Sequence, residues 1–405
     1  MKNYLITLLS GIFIFLTIIG SFNWLINPFD YLSSPVIDGL NVHKPKIRER
    51  MTKVYKTSQI KPATIILGSS RSLNMPVQHS SFINLPVYNL SLASGSGYEM
   101  YRMFQQAHVT RPLKTVIIGL DEKFTNGIYT NFNENRFDVD RDGNANIKRY
   151  MQYWYDVYNS ILSIDAIKAS LSTIKKQSYY SQKNLAVIDM KNRVSKAGGH
   201  HQMFGANENK YLGKLSTIQQ CHIDAPMPTD KSIIEVTNNL KYLKKMLETA
   251  YHDSIEFKIF FSPIHARLQT VNCVKDAGQS IEQFKYAVVT LVESLATTFQ
   301  KKPFIVMDFS GYNTITTEAV PPIGDKTTLM KWYWEGSHYT SATAELMLDK
   351  LAGLDKLGFD DFGVKLEKNT IVAHFQKQRQ LQLKYQKNHP RDINEIQQRA
   401  QKNLK

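Results

Sequence analysis

Short β-branched and aromatic runs recur along the chain, with stretches of helix length between several of them. The runs are Ala63–Gly68, Val87–Leu90, Thr115–Gly119, Phe257–Phe261 and Phe304–Asp308. Runs of this length and composition are typical of buried strands. The stretches 97–108 and 280–299 have the amphipathic pattern of helices. Strands that alternate with helices predict an α/β fold with a mostly parallel sheet covered on both faces.

The N-terminus carries an uncharged apolar run, Tyr4–Ile26. At about 1.5 Å per residue, such a run crosses a hydrocarbon core of about 30 Å. It ends near Trp24 without an Ala-x-Ala site, which favours an uncleaved signal anchor over a cleaved signal peptide. Lys2 precedes the run, and Asp30 and Asp38 are the first charges after it. This bias favours a single-pass protein of the bacterial inner membrane with its main domain in the periplasm.

The composition of the chain excludes several classes of protein, and its segments differ in character. Of its 405 residues, 42% are hydrophobic and 21% are charged, which excludes disordered, collagenous and disulfide-scaffold proteins. Only one apolar run is long enough to span a bilayer, so a polytopic transporter is excluded as well. We expect an anchor (1–27), a juxtamembrane linker (28–60), an α/β domain (61–360) with an insertion or cap (about 125–235), and a basic helical tail (361–405).

Charge and cysteine content restrict the partners. The net charge is +15, and the tail from residue 366 onward holds nine Lys and Arg against three Asp and Glu. The tail has no zinc-finger, RRM or KH signature, which argues against nucleic acid. We expect a solvated helix face, with an anionic polymer or lipid headgroups as the functional alternative. The two cysteines, Cys221 and Cys273, either form one disulfide or are buried apolar residues. His200 and His201 lack a third ligand at a metal spacing, and we expect neither a metal nor a cofactor.

Polar residues follow several of the predicted strands. Reactive groups of open α/β sheets lie at the carboxyl ends of the strands. Gly68–Arg71 and Gly119–Glu122 begin at the last residue of the first and third runs, and Asn89–Gly97 leads from the end of the second run into a glycine-rich turn. A serine in a sharp turn after a strand can be a nucleophile beside free backbone N–H groups that stabilise an oxyanion.

A fourth group lies near the C-terminus, in Trp332–Thr340. Glu335 and His338 are three residues apart in a predicted loop that enters a helix. This spacing lets a carboxylate orient one imidazole nitrogen while the other faces a serine from the first strand end. Trp334 is a candidate surface for stacking sugar rings, with lid or core packing as the alternative.

His265 and Arg267 follow the fourth predicted strand. They are candidate substrate contacts because a residue after a strand can face the crevice, and ordinary polar packing is the alternative.

The combination of blocks resembles the SGNH (GDSL-like) hydrolase superfamily. Residues 68–70, GSS, look like its first block, which implies that Ser70 is the nucleophile and that Ser69 replaces the usual Asp. EGSH looks like the last block, with Glu335 in place of Asp and His338 as the base.

Two further blocks resemble those that supply the oxyanion hole. Residues 89–97, NLSLASGSG, look like the second block, so Ser94 or Gly95 would provide a backbone N–H. The third block normally reads Gly-x-Asn-Asp. Here Asp121 and Glu122 stand at its last two positions, so the Asn donor is missing, and Asp121 is the candidate oxyanion or substrate residue of this block.

The resemblance implies a three-layer sandwich of the flavodoxin type that carries a Ser-His-Glu triad. With the anchor, the chain is similar to periplasmic polysaccharide O-acetyltransferases of the alginate-acetylation type. This implies an acyl (acetyl) transferase or esterase acting on a cell-surface polysaccharide beside a membrane-bound acyl-donor protein. The alternative is a non-catalytic subunit of a surface-polysaccharide assembly or export machine.

Overall fold

The computed structural model describes residues 1–45, 47–121, 132–180, 185–219, 225–275, 277–354 and 356–404. Its contacts divide the chain into two compact units. The first comprises Met1–Lys61 with Tyr129–Asp189, and the second comprises Pro62–Ile128 with Met190–Lys405. The domain boundaries expected from the sequence stay a prediction.

The second unit is built on a six-stranded sheet. Its strands are β1 (Thr64–Leu67), β2 (Val87–Asn89), β3 (Thr115–Leu120), β4 (Glu256–Phe261), β5 (Ile305–Asp308) and β8 (Val364–Lys365). The order is β2-β1-β3-β4-β5-β8; the first five strands are parallel, and β8 runs antiparallel to β5. Two short strands, β6 (Tyr333–Glu335) and β7 (His338–Tyr339), form a separate antiparallel ribbon. The predicted α/β fold with a mostly parallel sheet is confirmed.

The helices of the described residues follow in chain order. They are α1 (Lys2–Ile26), α2 (Glu49–Ile60), α3 (Gly97–Thr110), α4 (Lys148–Leu162), α5 (Ile164–Tyr180), α6 (Leu185–Ala197), α7 (His200–Leu212), α8 (Ile234–Asn238), α9 (Lys241–His252), α10 (Ala266–Val274), α11 (Ala277–Thr298), α12 (Ser341–Leu351), α13 (Ile371–Asn388) and α14 (Pro390–Lys402). Short 3-10 helices cover Ser72–Asn74 and Glu134–Arg136.

Helices cover both faces of the sheet because successive strand residues point to opposite sides. On one face, Ile66, Ile117 and Phe260 join a buried cluster with Met347 and Leu348 of α12. On the other face, α11 packs against the sheet. Phe284 makes an edge-to-face contact with Phe261 of β4, the ring centroids 5.8 Å apart, and the Lys285 ammonium donates to Asp308 of β5 at 2.7 Å.

The first unit is helical. Phe29 and Tyr31, which follow α1, pack with Met51 and Tyr55 of α2 and with Ala166 of α5. Its helix α1 is long and apolar enough to cross a membrane, and most of its side chains are exposed. It ends at Asn27, whose backbone is in the left-handed region.

The tail forms α13 and α14, and both helices contribute buried side chains, including Phe375, Tyr385 and Ile396. Cys273 on α10 is disulfide-bonded. Cys221 lies outside the described residues, as does Glu122.

Candidate active site

Ser70, His338 and Glu335 form one hydrogen-bonded chain. The Ser70 Oγ lies 2.9 Å from the His338 Nε2, and the His338 Nδ1 is bonded to the Glu335 carboxylate. A carboxylate only accepts, so Nδ1 carries the proton and Nε2 is left to accept from the Ser70 hydroxyl. The His338 side chain is 36% exposed, so a substrate can reach the imidazole.

The glutamate and the histidine sit opposite each other on the β6–β7 ribbon. Glu335 pairs with His338 across a two-residue turn formed by Gly336 and Ser337. Directly opposite residues of an antiparallel pair project on the same side, so the turn holds the two side chains together. The sequence predicted a loop that enters a helix. The structure instead shows a hairpin, and α12 begins after it at Ser341.

Ser337 completes the surroundings of the carboxylate. Its backbone N–H donates to Glu335 Oε2 at 2.9 Å, and its hydroxyl donates to Oε1 at 2.9 Å. Burial by itself raises the pKa of Glu335, but the hydrogen bonds from His338 and Ser337 outweigh it, so the pKa lies below its ordinary value. The carboxylate is therefore ionised at neutral pH, ready to stabilise an imidazolium.

The nucleophile candidate stands at the carboxyl end of β1. A Cβ on Gly68 would overlap the side chain of Ser72, and a Cβ on Gly119 would overlap Ser72 and the Phe260 ring. Glycine at 68 and 119 therefore lets the turn after β1 pack closely against the end of β3. Ser70 is half-buried there, and its backbone N–H has no acceptor among the described residues.

Ser69 faces a different partner. Its hydroxyl donates to the Asp121 carboxylate at the end of β3, and Asp121 also pairs with Arg71 Nη1 at 3.2 Å. Arg71 is buried, and its Nε donates to the Ser337 carbonyl at 3.0 Å. Asp121 and Arg71 thus connect the serine turn to the hairpin that carries His338. Asp121 was predicted as an oxyanion or substrate residue, but its carboxylate is bonded to protein groups.

Helix α7 supports the hairpin from outside. His200 bonds through Nδ1 to the Trp334 carbonyl at 3.1 Å, Asn207 donates to the Ser337 hydroxyl at 3.2 Å, and Tyr211 accepts from Arg71 Nη2 at 3.1 Å. These residues are seven and four apart, a spacing that places them on one helix face. Their roles were not predicted, because α7 lies in the predicted insertion. The one sign in the sequence that they share a helix face is their spacing.

The second block lies beside the first, but one of its predicted donors is occupied. Leu92 N–H donates to the Gly68 carbonyl at 2.9 Å, which places the Ser94–Gly95 turn next to β1. Gly95 N–H donates to the Leu92 carbonyl at 2.8 Å, so it is not free to bind an oxyanion. Ser94 is exposed, with φ at 53°, and its N–H has no acceptor among the described residues. Of the two candidates, Ser94 alone remains.

The structure corrects the expectation that His265 and Arg267 contact substrate. The His265 ring is buried; Nε2 is bonded to the Glu318 carbonyl at 2.7 Å, and Nδ1 accepts the Arg267 N–H at 3.2 Å. Burial lowers the pKa of His265 to about 4. The Arg267 guanidinium is 1% exposed and binds carboxylates, which are those of Glu208, Asp392 and Glu395. Both side chains stabilise the fold rather than line the crevice.

The three aromatic residues before Glu335 have different environments. Tyr333 belongs to the buried core, and Trp332 packs edge-to-face on Phe359. Trp334 is half-buried next to the hairpin turn, and the Arg193 guanidinium lies 5.5 Å from its ring centroid. Trp334 is therefore the one member of this aromatic run that remains a candidate for substrate contact.

The described residues contain no group of three or more His, Cys, Asp or Glu side chains arranged to hold a metal ion.

Comparisons with known proteins add little. No family model matches the chain. No curated protein matches it either. A solved structure described as a platelet activating factor from Streptococcus pneumonia superposes with a TM-score of 0.33 at 10% identity, covering 76% of this chain and 92% of that chain. At this TM-score the likeness says nothing about the function of this chain.

Proposed function

We propose that the protein is a serine acyl-transfer enzyme of the SGNH type, an esterase or O-acyltransferase. The observation that carries the proposal is the chain from Ser70 through His338 to Glu335, with 2.9 Å between the serine Oγ and the imidazole Nε2. A hydroxyl, a base and a carboxylate in this order are the requirements for activating a serine. The parallel strand order β2-β1-β3-β4-β5, with the serine turn at the end of β1, supports a doubly wound sheet of the flavodoxin type.

The proposed reaction has two stages. Ser70 Oγ attacks an acyl ester carbonyl as its proton passes to His338 Nε2, and the Glu335 carboxylate stabilises the imidazolium. The Ser70 and Ser94 N–H groups are candidate donors to the tetrahedral oxyanion. Collapse expels the alcohol, which takes the proton from His338. Water or a sugar hydroxyl then attacks the acyl-serine with the same base, which restores Ser70.

The proposed acceptor is a hydroxyl of a cell-surface polysaccharide outside the cytoplasm, and a membrane-bound acyl-donor protein supplies the acyl group. Two features support it. The half-buried Trp334 next to Glu335 offers the kind of aromatic surface against which sugar rings pack. The apolar helix α1 is long enough to hold the enzyme at a membrane. Acyl transfer from an activated ester to an oligosaccharide, compared with release of free acid, distinguishes the transferase from the esterase.

The adjacent serines provide the test. Ser70→Ala and His338→Ala should each lower kcat for an activated acetyl ester by about 10³-fold or more, and the double variant should be no worse, because the two groups act as a unit. Glu335→Gln should be milder. The matched control is Ser69→Ala, because the Ser69 hydroxyl is bonded to Asp121 rather than to His338.

A fluorophosphonate probe should label the wild-type chain and the Ser69→Ala variant on Ser70. Absence of labelling together with absence of turnover would identify a non-catalytic subunit that keeps the fold. Full activity in Ser70→Ala would show that the nucleophile is another residue.

A further inference from the structure

Helix α4 carries a broad apolar face that nothing in the described residues covers. Its members recur three and four residues apart, and their exposed fractions lie between 60% and 84%. They are Ile147, which directly precedes the helix, and Tyr150, Met151, Trp154, Tyr155 and Tyr158. The opposite face is buried: Asp156 accepts from Tyr55 at 2.7 Å, and Ser160 accepts from Tyr31 at 2.9 Å. The aromatic face is therefore directed away from the core of its unit.

The end of this helix meets the outer end of α1. A Cβ on Gly20 would lie 3.4 Å from the Leu162 side chain. The Asn23 amide donates to the Ile161 carbonyl at 2.8 Å and accepts from the Ser170 hydroxyl at 2.7 Å. Ile161 and Leu162 continue the row of Trp154 and Tyr158 by helical spacing. The exposed apolar surfaces of α4 and α1 are thus joined at Gly20–Asn23.

The depth of this junction follows from the length of α1. The stretch from Tyr4 to Asn23 rises about 30 Å at 1.5 Å per residue, which is the thickness of a hydrocarbon core. Asn23 is the last residue of that stretch, and its polar side chain is hydrogen-bonded within the protein. Asn23 then lies at the outer edge of the hydrocarbon core. Residues packed against Gly20–Asn23 lie at the same level.

We propose that the α4 face, Ile147–Tyr158, is embedded in the outer interface of the phospholipid bilayer and forms a second membrane contact beside α1. The inference goes beyond the proposed reaction, but it rests on α1 being a membrane span. Tyr and Trp have apolar rings with polar tips, which suits the boundary between headgroups and acyl chains. A helix with one such face and low overall hydrophobicity lies in the interface plane. The exposed Lys148 and Lys168 are cations for anionic headgroups.

The test uses the full chain reconstituted in phosphatidylcholine–phosphatidylglycerol vesicles. A nitroxide is attached at Tyr155→Cys or Tyr158→Cys, and its collisions with oxygen, which partitions into lipid, are compared with those with a water-soluble nickel chelate. Phe15→Cys reports the span of α1. Asn144→Cys, in an exposed polar turn of the same unit, reports water. The unsubstituted chain measures any background labelling.

The proposal predicts an oxygen-to-nickel ratio at Tyr155 and Tyr158 that is well above the ratio at Asn144 and below the ratio at Phe15, which lies deeper in the bilayer. A low ratio at both α4 sites with a high ratio at Phe15 would overturn it and leave the α1 anchor standing. Poor access to both collision partners would overturn it in favour of a protein partner, such as a second copy. A low ratio at Phe15 would remove the span itself and the proposal with it.

Discussion

At the scale of single residues, Ser69 and Ser70 show why a motif does not by itself assign roles. The two hydroxyls follow the same strand, yet one donates to Asp121 and the other lies against His338. The sequence placed both at a strand end and pointed to Ser70 through family resemblance. It could not show that Asp121 and Arg71 hold the serine turn, because those contacts join β1, β3 and the hairpin across long sequence separations.

His265 carries a prediction of its own at this scale. Its folded pKa is about 4, and its ordinary value is 6.5, because burial disfavours the charged ring. Between these values the unfolded chain binds more protons than the folded one. The free energy of unfolding therefore falls as the pH drops through this window, by a total on the order of 3 kcal/mol.

The comparison variant is His265→Asn, since Asn can still accept the Arg267 N–H at the start of α10 but does not titrate. Denaturant unfolding of the full chain in detergent micelles between pH 4 and 7 measures both proteins. The wild-type curve should be steeper, and parallel curves would contradict the assignment.

At the scale of elements, the strands of the sheet were easier to predict than the β6–β7 hairpin and helix α7. The five runs of the sheet were recognisable because β-branched residues fill a strand that is buried on both faces. The β6–β7 hairpin was expected as a loop because its strands are only two or three residues long and its turn, Gly336–Ser337, is not a strong hairpin signal. Helix α7 was not predicted, because it lies within the expected insertion, and its contacts with the hairpin were not predicted either.

Helix α14 is held in its unit by ion pairs to Arg267. Arg267 joins α10 to Glu208 of α7 and to Asp392 and Glu395 of α14, and the Glu208 side chain is fully buried. Arg267→Met leaves that carboxylate with Arg399 as its remaining cationic partner, at 3.2 Å. Breaking a buried pair by removing one partner costs about 3–5 kcal/mol.

Denaturant unfolding should show a loss of that size for Arg267→Met. A second change, Glu208→Met, should recover much of it, because it removes the buried carboxylate that has lost its Arg267 partner. The matched control is Arg391→Met on α14. Because the pair of Arg391 with Glu395 is exposed, its loss should lower the free energy of unfolding by less than about 1 kcal/mol. An equal loss in the two arginine variants would show that the ion cluster is not what stabilises this contact.

At the scale of the whole molecule, the sequence predicted the class of the fold better than its arrangement. Alternating strands and helices imply parallel pairing, but they do not give the order β2-β1-β3-β4-β5. Ser70 and Asp121 could still be expected near each other, since the carboxyl ends of parallel strands share one edge whatever their order. No such rule predicts that residues 129–189 group with the N-terminal 61 residues. That grouping depends on long-range packing, such as Asn23 against Ile161.

The charges that flank α1 predict the orientation of the chain in the membrane. Lys2 and the α-amino group precede α1, and Asp30 and Asp38 follow it in sequence before the first basic residue, Lys44, so the residues next to the span in sequence are positive only on its N-terminal side. Positive charge near a span is retained in the cytoplasm, so residues 28 onward should lie outside. A reporter that is active only in the cytoplasm, fused after Lys405, should be silent in bacterial cells. The same fusion without residues 2–26 should be active, because the chain then lacks the segment that directs export. Equally high activity of the two fusions would place Ser70 in the cytoplasm and contradict the proposed surface-polysaccharide substrate.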